Sequence, residues 1–435
     1  MAADKGDKDI VKTAGRGVIY ITFAKLWFML SGYALVFILP RLFKWSAEGD
    51  DVEGMALMGA YGIVFTGISF INNGIISGTI QSVSKFTSED ESQASAIKRT
   101  ALKLQGGLGL VLAIGYVGLA GILAEHWFKS PGLTSLMRLS AGVIVAYSLY
   151  AVFIGSFNGL KKFNRQALFD IAYATFKIGL MLGLVAAGFQ VLGTVLGFLI
   201  AAGTITVVAG IASGGIGQGA FPTKRYISFA AIILAYSFVL NLVMMLDLYL
   251  LSGLVPRLAL EAGHDPETIA TLTEVRAGQY KSMQSLAFIP FQAVIAIAFV
   301  AFPLISKVTF EGDHEKSRTY VRTTLRFTMI LIVGLASVFA ALPAQALDLV
   351  FLPEYQDAAP ALGVLPFGII AFGLMFVSNT ILNGAGFPWR ALGVVLVALL
   401  AVVASVTILV WRAGPGPEAL TATAMGTSAG LATSG

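Results

Sequence analysis

The stretch Ile211–Arg225, IASGGIGQGAFPTKR, interrupts a chain that is otherwise a succession of long apolar segments. Gly214, Gly215, Gly217 and Gly219 loosen the backbone, Pro222 resists helix, and Lys224 and Arg225 add positive charge, so the stretch reads as a flexible polar strap. On either side the chain says the same thing twice. Before the strap, GAYGIVFTGISF around Tyr61 leads through a membrane-length segment to SVSKFTSED, with Ser84 and Lys85. After it, GQYKSMQSLAF around Tyr280 leads to LISKVTFEGD, with Ser306 and Lys307. Asn158-Gly159 in IGSFNGLKKF and Asn383-Gly384 in TILNGAGFP form a second pair, at nearly the separation of the two tyrosines. Two anchors in the same order predict an internal duplication, a common plan for transporters whose substrate site lies between the repeats.

Composition sets the medium. The 435 residues are 57% hydrophobic and 12% charged, against about half apolar and a quarter charged in soluble domains, so the chain is expected to be a polytopic, all-α membrane protein. The absence of cysteine excludes disulfide and thiol chemistry. A net charge of +5, dispersed along the chain, argues against a nucleic-acid partner.

A crossing helix needs about 20 apolar residues. That ruler places spans near 17–39, 58–83, 106–124, 136–157, 167–189 and 191–210 before the strap, and near 227–252, 282–305, 325–347, 359–382 and 389–411 after it. The repeat predicts a twelfth span at Glu418–Gly435, EALTATAMGTSAGLATSG, which is short and rich in small residues and reads either as a helix cut off by the end of the sequence, the favoured reading, or as a weak final span. The expected organisation is therefore a first lobe over 1–211, a linker over 212–225 and a second lobe over 226–435. The N-terminal segment lacks the features of a cleaved leader. Lys and Arg concentrate in the loops on its side, for example Lys98, Arg99, Lys161, Lys162, Arg318 and Arg322, which predicts a cytoplasmic N-terminus.

Charges inside the spans carry the chemistry. Lys177 lies about ten residues into the fifth span, roughly 15 Å deep at 1.5 Å per residue, where an unpaired charge costs at least ~2.5–3.5 kcal/mol. Lys25 is shallower and either lines the path or reaches the headgroups. Asp170, two turns before Lys177, shares its helix face, so the two either form a local charge network or serve a ligand. In the second span Ser69, Asn73 and Ser77 follow at four-residue spacing and continue to Gln81, with Asn72 beside them; in the eighth, Lys281, Ser285 and Gln292 project to one side. In lipid such groups face protein or a wet cavity. The seventh span holds Asn241 and Asp247, the latter a cation or proton site or the counter-ion of a lysine. Pro290 and Pro303 are expected to bend the eighth span.

Enzymatic constellations are sparse. His126, His264 and His314 fall in predicted loops, and no glycine-rich phosphate loop follows a strand. The acidic loop SAEGDDVEG, with Glu48, Asp50, Asp51 and Glu53, is the one candidate metal site and reads more simply as a solvated loop. No catalytic residue, cofactor or metal is expected.

The segments DLYLLSGLVP, AGQYKSMQSLAFIP with VAFPLISK, and ILNGAGFPWRALG resemble polysaccharide biosynthesis flippases of the multidrug/oligosaccharidyl-lipid/polysaccharide exporter superfamily. The resemblance runs along nearly the whole chain through loose patterns. It implies two six-helix lobes in a MATE-like V around a central cavity. It also implies alternating access that carries a polyprenyl-diphosphate-linked oligosaccharide to the outer leaflet of a bacterial cytoplasmic membrane, in O-antigen, capsule or exopolysaccharide synthesis. A polysaccharide polymerase is a possible partner. Asp247 matches an acidic position of that family, while the acidic loop at 46–54 departs from its pattern.

The residues favour the same choice. Fixed ammonium groups at Lys25 and Lys177 would offset desolvation of an anionic head, with Asn72, Asn73, Asn241 and Lys281 as further substrate contacts and Asp170 and Asp247 as coupling or counter-ion groups. A cation-coupled multidrug antiporter of the same fold is the alternative, and a membrane glycosyltransferase or polymerase is a second.

Overall fold

A computed structural model of the chain describes residues 2–292, 294–295, 314–384 and 387–433. Among them there are α-helices, short 3-10 and π turns, and no strand. The helices are α1 (Ala2–Ser46), α2 (Asp51–Glu89), α3 (Ala94–Ile122), α4 (Leu133–Gly159), α5 (Phe163–Leu184), α6 (Gln190–Ala212) and α7 (Thr223–Glu261). After these come α8 (Pro266–Ala287), α9 (His314–Ala341), α10 (Pro343–Val350), α11 (Ala359–Gly384), α12 (Pro388–Ala413) and α13 (Glu418–Ala432). Nine stretches among the described residues are long and apolar enough to cross a bilayer, and the chain is a multi-pass membrane protein.

Ten of the expected spans fall on those stretches, the fifth and sixth sharing Phe163–Ala212. Within it the chain reverses at a π turn, where Gly188 (φ 91°) and Gln190 (φ 46°) adopt left-handed backbone. Three expectations need correction or completion. Helix α9 ends at Ala341, short of the expected 347, because Leu342 precedes Pro343 and is pushed out of helical geometry (φ −129°, ψ 52°). The helix of the eighth span starts well before 282, at a capped terminus: the Asp265 carboxylate accepts the N–H groups of Glu267 at 3.1 Å and Thr268 at 3.0 Å, with Pro266 in the first turn. It breaks after Ala287, just ahead of Pro290, while Pro303, Ser306 and Lys307 lie outside the described residues. The segment expected to be a twelfth span forms α13, 15 residues long. It packs on α12 at Gly426 and Gly430, where an added Cβ would run into the backbone at Val406 and Val402.

The strap is pinned rather than loose. Gln218 N–H donates to Ser95 Oγ (2.7 Å), Phe221 N–H to Thr100 Oγ1 (3.0 Å) and Lys98 Nζ to the Ser213 carbonyl (2.7 Å). Its polar backbone is therefore satisfied by the start of α3, and Arg225 pairs with Glu89 at 2.9 Å.

Packing groups the chain into two compact units. One comprises 1–42, 71–121 and 134–237; the other comprises 43–70, 122–133 and 238–435. In the first unit the repeat anchors meet: Ser84 Oγ donates to Asn158 Oδ1 (2.6 Å), and Asn158 Nδ2 donates to Gln166 (2.8 Å). In the second unit α2 and α8 cross at backbone contact. A Cβ on Gly59 would overlap the Glu274 carbonyl, and one on Gly278 the Met55 carbonyl, the small-residue device of membrane helix packing.

Candidate functional site

Two groups of polar residues are built into the helices, one in each unit. In the first unit α1 and α5 are joined rung by rung. Lys25 Nζ donates to Asp170 Oδ2 at 3.1 Å, Trp27 Nε1 donates to Thr175 Oγ1 at 2.9 Å, and Phe28 stacks on Tyr173 with ring centres 6.3 Å apart. These positions follow from helical spacing: 25 and 28 lie one turn apart on α1, and 170, 173 and 177 lie on one face of α5. The other Asp170 oxygen faces the Tyr150 hydroxyl at 3.5 Å, and Tyr147 hydrogen-bonds Tyr173 through their hydroxyls.

Lys177 has a different environment. Its ammonium lies 4.9 Å from the centre of the Phe28 ring, 5.5 Å from Tyr173 and 5.4 Å from Phe198. Among the described residues no carboxylate is within ion-pair distance of it. A desolvated cation–π contact is worth ~2 kcal/mol, so the rings offset much of the minimum ~2.5–3.5 kcal/mol cost of an intramembrane charge. They supply no negative charge.

In the second unit Asp247 is buried on α7. Its Oδ2 accepts the Tyr280 hydroxyl at 2.7 Å, and its Oδ1 accepts Gln284 Nε2 at 2.9 Å and the Leu248 N–H at 2.8 Å. Lys281, half-buried on the same stretch of α8, lays its stem against Gly62. Three donors leave Asp247 a hydrogen-bonded acceptor rather than a lone carboxylate.

The structure thus brings together Lys25, Asp170 and Lys177 in one cluster and Asp247 and Lys281 in the other. Of the two roles open to Asp170 and Lys177, no direct ion pair between them is seen among the described residues; Asp170 turns to Lys25 across 145 residues of sequence. Asn72 is buried with neither amide atom partnered among the described residues, whereas Asn73 stands on the exposed side of α2 with Gln81. Asn241 is half-buried on α7. The Ser285 hydroxyl turns back to the Lys281 carbonyl at 2.8 Å, the backbone bonding usual for helical serine.

The acidic loop is structural in its contacts. Asp50 accepts the Glu53 N–H at 2.9 Å to cap α2, and Asp51 pairs with Lys44 at 2.5 Å, which also binds Glu354. Among the described residues no group of three or more His, Asp or Glu side chains could hold a metal ion.

Sequence reasoning missed Phe28, Tyr147, Tyr150, Tyr173 and Phe198. The signal was partly present: Tyr173 stands three residues after Asp170 and four before Lys177, and Tyr147 and Tyr150 are one turn apart.

No protein-family model matches the chain. A curated relative, an uncharacterised membrane protein of Methanocaldococcus jannaschii, is 31% identical over 94 residues; the match spans 21% of this chain and only 18% of that protein. Solved structures align along almost the whole chain. An inward-facing multidrug resistance MATE family transporter of the MOP superfamily superposes with a TM-score of 0.69 at 15% identity, over 92% of each chain. The lipid II flippase MurJ, in an inward closed conformation, gives 0.72 at 13% identity, over 95% of this chain and 85% of that one. A MOP superfamily transporter from Pyrococcus furiosus, for which a binding pocket of reverse polarity suggests a different function, gives 0.64 at 14% identity, over 96% and 93%. At these identities the likeness establishes a MATE-like fold.

Proposed function

We propose that this membrane protein is a flippase that moves a lipid-linked oligosaccharide with an anionic, diphosphate-type head between leaflets by alternating access. One observation carries the reading: the Lys177 ammonium sits among Phe28, Tyr173 and Phe198 with no carboxylate beside it among the described residues. A fixed cation inside a span is costly, and an anionic ligand is the partner that recovers the cost. The rings stabilise the half-buried ammonium without neutralising it.

The reading includes two repeat lobes, residues 1–211 and 226–435, joined by the strap over 212–225. It also includes a cytoplasmic N-terminus in a bacterial inner membrane and export of a glycan precursor for O-antigen, capsule or exopolysaccharide synthesis, with a polysaccharide polymerase as downstream partner. Transport rather than covalent chemistry is the activity. Asp247, held by Tyr280 and Gln284, supports a second reading, a cation-coupled multidrug antiporter of the same fold.

The test is translocation of a labelled polyprenyl-diphosphate oligosaccharide in proteoliposomes. The flippase reading expects protein-dependent arrival of the headgroup at the opposite leaflet. Efflux of cationic dyes driven by a proton or sodium gradient, without headgroup movement, would move the protein to the second reading.

A further inference from the structure

The Lys25–Asp170 pair is asymmetric in a way that suits exchange. The Asp170 side chain is only 11% exposed and has the Tyr150 hydroxyl at its second oxygen, whereas the Lys25 side chain is 46% exposed. An incoming anionic group can therefore approach the ammonium from its exposed side while Asp170 stays buried behind it. When the ammonium leaves, Tyr150 remains to donate to Asp170, so the acid is not stranded. The neighbouring rungs, Trp27–Thr175 and Phe28–Tyr173, hold α1 against α5 independently of the ion pair. Lys177 belongs to the same rungs through Phe28 and has no acid of its own among the described residues.

We infer that Asp170 competes with the substrate's anionic head for the Lys25 ammonium: a diphosphate takes Lys25 from Asp170 while Lys177 serves as the standing cation. This rests on the headgroup reading above. A diphosphate carries more negative charge than one carboxylate and wins the ammonium on entry. Asp170 then recovers Lys25 as the head departs, which lowers affinity and speeds release. Asp170 is thus a positioning residue that sets the lifetime of the bound state, and Lys25 is the exchanging contact.

The test measures equilibrium binding of radiolabelled farnesyl diphosphate to the full chain in nanodiscs, with turnover followed in proteoliposomes. Asp170→Asn is expected to tighten binding by about fivefold, the factor corresponding to an ion pair worth ~1 kcal/mol, and to slow turnover. Asp170→Ser, which keeps a hydroxyl for Tyr150, should tighten binding likewise if the asparagine variant folds poorly. In a Lys25→Met background the Asp170→Asn gain should vanish. Unchanged or weaker binding in both Asp170 variants, with Lys177→Met still weakening it, overturns the competitor role and leaves the headgroup reading standing. Binding indifferent to Lys25, Lys177 and Asp170 alike overturns both.

Discussion

Lys177 and Phe28 meet across α5 and α1, ammonium to ring centre at 4.9 Å, with no carboxylate at ion-pair distance among the described residues. If the lysine is charged there, replacing the ring should be felt through the charge. Phe28→Leu keeps an apolar side chain and removes the π face, so it is expected to lower stability by ~0.5–2 kcal/mol beyond lost packing. In a Lys177→Met background that excess should disappear, which a double-mutant cycle on thermal unfolding in detergent reads directly. Equal losses in both backgrounds would mean that the ring acts only by packing.

The Asp247 network separates a structural role from a coupling one. Tyr280→Phe removes one donor from a buried carboxylate and should destabilise the fold by ~1–3 kcal/mol. Asp247→Asn retains acceptor capacity and should fold. If its transport is as responsive to an imposed proton or sodium gradient as wild type, Asp247 is not the coupling group; loss of that response with basal flipping intact assigns it the role.

Close helix crossing makes a prediction with its own control. At Gly59 an added methyl has no room against the α8 backbone, so Gly59→Ala should cost ~1–3 kcal/mol or more through overpacking. At Gly183 in α5 an added methyl would meet nothing within 4 Å, and Gly183→Ala should be neutral or stabilising by ~0.5–1 kcal/mol through helix propensity. Melting temperatures of the two variants should move in opposite directions or differ by several degrees.

Glu274, in the part of α8 that precedes the expected span, has its carboxyl pushed above the usual glutamate range by burial, against the opposing hydrogen bond from Ser130. The folded state therefore holds this proton more tightly than the unfolded one. Stability from the protonated form is complete below the ordinary value of 4.5 and declines as pH rises through the raised folded value. Glu274→Gln should flatten that decline, as measured by unfolding from mildly acidic to neutral pH. A wild-type profile no steeper than the variant's would contradict it.

The spans were legible because twenty-residue apolar runs have few alternatives, and Lys177 and Asp247 stood out because charge is rare in such runs. What could not be read was partner choice. Asp170 and Lys177 share a face of α5, yet Asp170 bonds Lys25, a contact set by how α1 lies on α5 rather than by spacing. The aromatic surroundings of Lys177 come from α1, α5 and α6, and only Tyr173 was local enough to notice. The strap misled for a related reason. Its glycines suggested looseness, but their positive φ angles trace a path along α3 whose hydrogen bonds come from Ser95, Lys98 and Thr100, more than a hundred residues earlier.

The most direct measurement compares wild type with Lys177→Ala in proteoliposomes loaded with a labelled polyprenyl-diphosphate oligosaccharide, after both proteins are shown to be folded. An anionic head held by Lys177 predicts a sharp fall in translocation for the variant, on the order of tenfold for ~1.4 kcal/mol of lost headgroup interaction. Equal translocation by the two proteins would contradict the central claim and leave Lys177 as a structural cation within its ring of aromatics.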